Sequence, residues 1–375
     1  MNCLSNDIKI NFFFKYYLND TDALKLFKTC NHQFSKITFY KYKNFVRYKN
    51  LKYYKNCIVS KVDTDSWDFW HFFNQPIKIN VPANITHLTF GYNFNKHIDR
   101  TNLPQSITHL ILGKYFNQPI DNLPNCITDL TLGYEFNQPI DNLPNSITHL
   151  TFGSKFSKFN QTIDKLPYSI THLKFGSYFN KSVDNLPNSI THLTFGDDFN
   201  QPVNELPNLI THLIFGSSFN KSADNLPTLI THLTFGDDFN QPVDILPNLI
   251  THLTFGSFFN KSVDNLPTSI THLTFGFDFN QTVHLPNTVI HLSFGCEFNQ
   301  SVNHLPSSLK YIKFGCKFNQ TVDHLPNSIT HLSFGAAFNQ QLNHLPTSVT
   351  HLRLCPGFNA LTSKLPNSIV CLQID

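Results

Sequence analysis

The chain alternates apolar and polar residues in short runs that recur about every 20 residues. In the run "ITHLTFG", Leu193 and Phe195 alternate with His192 and Thr194. A period of two is typical of a β-strand with one buried face, so Leu193 and Phe195 should point inward and His192 and Thr194 outward. Because no part of the unit has the 3.6-residue period of an amphipathic helix, the rest of it should be extended chain or turns.

The whole unit, "LPxSITHLxFGxxFNQxVDN", recurs from Phe73 to the end of the chain. Fifteen prolines mark its period, from Pro82 to Pro366. Twenty residues cannot bury a hydrophobic core alone, so neighbouring units must stack. Residues 71–375 are therefore predicted to form a repeat solenoid of about 15 coils. Each coil should contribute one short parallel strand and a mostly non-helical convex side.

Two further columns of the repeat have structural explanations. Pro207 lacks an N–H and Gly196 can adopt a positive φ, so both are expected at the corners of a coil. An asparagine follows the second phenylalanine of each unit, as at Asn180 and Asn200. A buried amide at this position can bond backbone groups that would otherwise cost about 1–3 kcal/mol each. The sequence therefore predicts a ladder of asparagine side chains.

The residues of the repeat resemble those of a known family. The run "LxF", with Ile three residues before it, is similar to the leucine-rich-repeat core "LxxLxL". "FNQPI" at Phe116 and at Phe136, with "LPNSITHLTFG", resembles the FNIP repeat, a leucine-rich-repeat-like unit common in amoebae and their large DNA viruses. The resemblance covers residues 73–375. It implies a non-enzymatic protein-interaction scaffold with no known catalytic residues, and no cofactor is expected.

Residues 1–70 differ from the rest, since they contain neither proline nor the repeat. "NDTDALKLFKTCNHQF" predicts a helix that begins near Asp20 or Thr21, and a helical head domain is expected. The same run resembles the latter half of an F-box, although the usual leading "LPxE" is absent. That resemblance implies docking of a Skp1-like adaptor of a ubiquitin ligase through Leu24, Leu26, Phe27, Cys30 and Phe34. Alternatively, or in addition, the head shields the apolar edge of the first coil.

Twelve histidines share the outward column of the predicted strands. They are His87, His109, His149, His172, His192, His212, His232, His252, His272, His291, His331 and His351. A metal-binding or metal-dependent protein that uses this column is one alternative. It is disfavoured because zinc ligands converge on the ion at about 2.0–2.1 Å, whereas a straight row points its rings in parallel.

The favoured interpretation of the outward columns is a face that binds a protein partner. The predicted face comprises His192, Thr194, His212, His232, Thr234, His252, Thr254, His272 and Thr274. Asp129, Tyr311 and Cys371 replace histidine in three coils. These three positions are where one coil should differ most from another.

The charge of the chain is uneven. The formal net charge is +3, yet residues 1–72 hold 12 Lys or Arg and only six Asp. A nucleic-acid binder that uses this basic head is the second alternative. Because neither an RNA-binding motif nor zinc-finger spacing is present, nucleic acid is not the expected partner.

Several features predict a cytoplasmic or nuclear location, in the host cell if the protein is viral. The first 18 residues do not read as a signal peptide, and no stretch reaches 18 apolar residues, so no membrane partner is expected. The eight cysteines form no disulfide framework. Several asparagines of the column, including Asn180, lie in N-x-S/T sequons whose glycosylation would disrupt the predicted ladder.

Overall fold

The computed structural model describes residues 86–153, 156–358 and 365–374. The predicted helical head, residues 1–70, lies outside these ranges, and so do all five predicted adaptor-docking residues. The chain divides into two compact units, Met1–Ile147 and Thr148–Asp375. Each unit is described by itself.

Both units are built from short parallel strands that pair in chain order. The first unit holds β1 (His87–Thr89), β2 (His109–Ile111) and β3 (Asp129–Leu132). The second holds β4 (His149–Phe152), β5 (His172–Lys174), β6 (His192–Thr194), β7 (His212–Ile214), β8 (His232–Thr234), β9 (His252–Thr254), β10 (His272–Thr274), β11 (His291–Ser293), β12 (Tyr311–Lys313), β13 (His331–Ser333), β14 (His351–Leu354) and β15 (Cys371–Ile374).

This arrangement confirms a parallel-strand solenoid of the leucine-rich-repeat type, with one strand of three or four residues in each coil. The 15 strands of the described ranges are linked by 14 strand-to-strand connections, close to the predicted number of about 15 coils. Turns and extended chain make up the rest of each coil, as predicted. The described ranges contain no helix, and hence none that could cross a membrane.

The core is formed by the inward residues of the strands and by the phenylalanine that follows each turn. Leu193 and Phe195 are 1% and 3% exposed, while the alternating outward residues His192 and Thr194 are half-buried. The predicted alternation is therefore confirmed. Phe195 stacks on Phe199 within its coil at a centroid distance of 3.8 Å, and Phe199 lies 6.1 Å from Phe219 of the next coil. Two rows of stacked rings therefore run through the second unit.

The predicted asparagine ladder is present in both units. The backbone N–H of Asn200 donates to Oδ1 of Asn180 at 3.0 Å, and Nε2 of Gln201 donates to the same oxygen at 2.9 Å. Asn117 and Asn95 repeat the backbone hydrogen bond in the first unit, also at 3.0 Å. The Asn180 side chain is half-buried rather than buried. Each amide oxygen thus satisfies a turn N–H that the neighbouring coil leaves without a carbonyl partner.

The glycine column has a different cause from the predicted one. Among the described glycines only Gly153 and Gly357 have a positive φ, so the prediction that Gly196 adopts one is wrong. A Cβ added at Gly196 would lie 2.0 Å from the carbonyl oxygen of Gly176 and 2.3 Å from its carbonyl carbon. At Gly196 the backbones of adjacent coils approach too closely for a side chain, although Cys355 occupies the same column after β14.

Candidate functional site: a stacked histidine face

The two outward columns of β4–β14 form one surface of the second unit, which we name the ladder face. Its first column comprises His149, His172, His192, His212, His232, His252, His272, His291, Tyr311, His331 and His351. Its second column comprises Thr151, Lys174, Thr194, Ile214, Thr234, Thr254, Thr274, Ser293, Lys313, Ser333 and Arg353. All nine residues of the partner face predicted from sequence lie here, and their role in binding stays a prediction.

The rings of the first column are stacked. The centroids of His192 and His212 are 4.2 Å apart, with 11° between the ring planes. Pairs of neighbouring histidines from His149 to His291 share a spacing of 4.2–4.3 Å. Tyr311 continues the stack at 4.1 Å from His291 and 4.3 Å from His331. The parallel register of the strands, with histidine opposite histidine, produces this spacing.

A threonine orients most of the imidazoles; His291, which follows Ile290, is an exception. Oγ1 of Thr191 lies 2.9 Å from Nδ1 of His192 and donates to the carbonyl oxygen of Thr171 at 3.2 Å. That carbonyl also accepts the backbone N–H groups of Thr191 and His192. The same Thr–His contact recurs at 2.9 Å in the neighbouring coils, so the rings of these coils are held through Nδ1 in one orientation.

The stack favours neutral histidines. Burial of its ring, followed by the positive charge of His172, holds the pKa of His192 below its ordinary value. Burial is the first cause and neighbouring charge the second for five further members of the column whose pKa is lowered. They are His212, His252, His272, His291 and His331. Protonation of one ring discourages protonation of the next.

We expect the thermal unfolding midpoint to fall by at least a few degrees as the pH is lowered from about 7.5 to about 5. These histidines have a lower pKa in the folded chain than in the unfolded one. Their contribution to stability is therefore complete above the unfolded pKa of about 6.5, and it is lost as the pH falls through the folded values. Differential scanning calorimetry at constant ionic strength measures the effect.

The control for this pH dependence is a chain with His212→Gln and His252→Gln, in which the slope should flatten. Glutamine keeps a polar side chain at both positions but carries no titrating group. A midpoint that is unchanged or higher at about pH 5 in the unaltered chain would contradict the expected sign.

The geometry of the stack does not suit a metal ion. Adjacent imidazoles are nearly parallel, and Nδ1 faces a threonine hydroxyl wherever threonine precedes the histidine, as at His192 and Thr191. Zinc ligands would have to converge on one point at about 2.0–2.1 Å. Within residues 86–153, 156–358 and 365–374, no three or more His, Cys, Asp or Glu side chains are grouped so that they could hold an ion.

In the first unit, an aspartate interrupts the histidine column. His87 stacks on His109 at 4.1 Å, and the next position in register is Asp129. Oδ2 of Asp129 accepts the hydroxyl of Thr128 at 2.6 Å and lies 3.4 Å from Nε2 of His109. The carboxylate thus takes the place of a ring next to the His109 side chain.

Sequence reasoning missed the uneven charge of the ladder face. Lys174, Lys313 and Arg353 lie in the second column and are exposed, and exposed Lys310 directly precedes β12. No Asp or Glu occupies an outward position of β4–β15 in the described chain. The available signal was the departure of Lys174, Lys313 and Arg353 from threonine, the commonest residue of the second column.

The fold and the register define the class of protein. A solenoid with one short parallel strand in each coil and a turn-rich back is a leucine-rich-repeat-like protein. The FNIP Repeat profile matches residues 73–115, 116–155, 159–184, 182–205, 219–258, 239–278, 259–296, 279–317 and 318–356. The chain belongs to the FNIP repeat family.

A solved structure supports the leucine-rich-repeat-like fold. One similar structure is CroV588, described as a novel circular LRR protein, with 46% sequence identity and a TM-score of 0.72. The match covers 81% of this chain and 52% of CroV588, so this chain spans about half the length of that protein. YopM from Yersinia enterocolitica WA-314 is more distant, with 18% identity over 79% of each chain and a TM-score of 0.47. No curated protein matches the chain.

Proposed function

We propose that the chain is a non-enzymatic scaffold that binds a protein partner on the ladder face. A repeat solenoid of the FNIP and leucine-rich-repeat type fits an interaction scaffold. The observation that carries the proposal is the row of stacked rings on β4–β14, ten histidines and Tyr311, which recur at about the strand spacing of 4.8 Å. A partner can contact this regular outward row along several coils at once.

Arginine substitutions on the ladder face should abolish capture of the natural partner. Thr234→Arg and Thr254→Arg place a long charged side chain in the middle of the second column, where a partner would have to approach. Full-length chains are immobilised, and proteins retained from the native cell are compared by quantitative mass spectrometry. The partner is a protein retained by the unaltered chain and reduced at least about tenfold by both variants.

Exposed turns of the coils that carry β8 and β10 supply the control, since each contains a threonine. Thr228→Arg and Thr268→Arg add the same charge away from the strands, at positions that are exposed. These variants should retain the partner fully. Equal retention by Thr234→Arg and Thr254→Arg would show that partners do not use the ladder face.

A more specific role is suggested only by the resemblance of residues 1–70 to an F-box. In this role the head docks a Skp1-like adaptor through Leu24, Leu26, Phe27, Cys30 and Phe34, and the solenoid recruits substrates for ubiquitylation. Co-expression with such an adaptor tests this role, with alanine at Leu24 and Leu26 as the disrupted form. The nucleic-acid alternative depends on the same residues 1–70 and has no support from the ladder face.

A further inference from the structure

The C-terminal part of the ladder face forms a groove with a cationic lining. The groove has a volume of about 430 Å³ and is lined by residues of β10–β15, among them Tyr311, Lys313, Ser333 and Arg353. Lys313 pairs in register with Ser333, and Ser333 pairs with Arg353, so the two cations flank one hydroxyl. None of the described residues that line the groove is a carboxylate.

The coil that carries β12 differs from its neighbours at every outward position. Where the commonest pattern is Thr-His-x-Thr, this coil has Lys310, Tyr311 and Lys313. Tyr311 preserves the stack, at 4.1 Å from the ring of His291, and its side chain is 36% exposed. The core residue between them, Ile312, remains buried at 3% exposure. The substitutions therefore change the surface chemistry of the coil and leave its packing unchanged.

We propose that this groove docks an extended acidic peptide segment of a protein partner. Lys313 and Arg353 would each receive one carboxylate, and the hydroxyl of Ser333 would donate to the segment between them. This inference rests on the proposed function and assigns a partner chemistry to one part of the ladder face.

The register also specifies the spacing of the acidic residues. Lys313 and Arg353 are two strands apart, which places their backbones about 9.6 Å from each other at about 4.8 Å per strand. A peptide in the extended polyproline II conformation has three residues per turn and advances about 3.1 Å per residue, so residues i and i+3 lie on the same side about 9.3 Å apart. The groove should therefore prefer acidic residues separated by two others.

An acidic peptide suits the groove better than a nucleic acid. Nucleic-acid binding at physiological salt generally depends on many phosphate contacts, on the order of 6–10. The described lining offers two cations, Lys313 and Arg353, beside neutral rings and hydroxyls. Two cations match the charge of a short acidic segment, so charge complementarity favours the peptide.

The test uses the full-length chain and a fluorescein-labelled 12-residue peptide. Glu occupies every third position of this peptide, and Gly and Ser occupy the two positions between. Binding is followed by fluorescence anisotropy at low and physiological salt. Lys313→Thr and Arg353→Thr, which install the residue common in this column, should each weaken binding by about fivefold. Lys174→Thr removes an exposed lysine from the same column at β5, outside the groove, and should change binding by less than about twofold.

Three results with the peptides would overturn the inference. They are failure of the glutamate peptide to bind the unaltered chain, equal binding of the matched glutamine peptide, and an equal loss in Lys174→Thr. Tighter binding of a 12-nucleotide oligo-dT would assign the groove to nucleic acid instead. If Lys313→Thr has no effect while Thr234→Arg still abolishes partner capture, this inference fails and the scaffold function stands.

Discussion

Phe259→Ala should destabilise the solenoid by about 3–5 kcal/mol, whereas Phe258→Ala should cost less than about 1 kcal/mol. Phe259 is fully buried, and its ring lies 3.8 Å from that of Phe255 and 6.1 Å from those of Phe239 and Phe279. Truncation removes this packing from three coils at once and leaves a cavity. Phe258, one residue earlier, is 52% exposed and has little packing to lose.

Because a repeat array can open locally, the measurement must resolve individual coils. Native-state hydrogen exchange should show lost protection in the coils on both sides of Phe259, together with a lower urea midpoint for the whole chain. Phe258→Ala should leave both quantities nearly unchanged. Equal effects of the two variants would mean that the row of buried rings does not stabilise the array.

Gly216→Ala should have the second large effect. We expect it to lower the free energy of unfolding by about 3 kcal/mol or more. The added Cβ would lie 2.0 Å from the carbonyl oxygen of Gly196, 2.3 Å from its carbonyl carbon and 2.7 Å from the backbone nitrogen of Asp197. These are backbone atoms, so no side-chain rotation can relieve the clash. The two coils would have to separate, and the Phe195–Phe215 stack between them, at 5.5 Å, would be disturbed.

The matched control is Ser218→Ala, two residues further along the same turn. Ser218 is half-buried, and its backbone N–H donates to Asp197 whatever its side chain is. The thermal unfolding midpoint of the Ser218→Ala variant should stay within about a degree of the midpoint of the unaltered chain. A stable Gly216→Ala chain with unchanged hydrogen exchange would refute close backbone approach as the cause of the glycine column.

The sequence predicted the strand and its two faces because a period of two admits only one assignment. Leu193 and Phe195 are buried, and His192 lies on the outward side, as the alternation required. The asparagine ladder was also predictable, since an amide repeated in every coil has a regular set of backbone groups to satisfy. Repetition made these predictions secure because every coil repeats the same pattern.

Distances between coils were not predictable in the same way. The conformational freedom of glycine suggested a positive φ at Gly196, whereas the spacing between coils is what excludes a side chain there. The stacking of His192 on His212 likewise depends on register and ring rotation, which one chain's sequence does not specify. The groove around Lys313 was not predicted because the predicted face was derived from the consensus of the repeat, and the residues that make the groove cationic depart from that consensus.

The asparagine ladder sets no limit on the length of the array. Asn200 donates to Asn180, and Asn220 donates to Asn200, so each of these hydrogen bonds joins one coil only to the next. One whole coil can therefore be inserted or deleted, and the remaining coils need no compensating change. Recombination between near-identical coils would lengthen or shorten the ladder face in steps of one strand. The length of the surface offered to a partner can therefore change in evolution by one strand at a time.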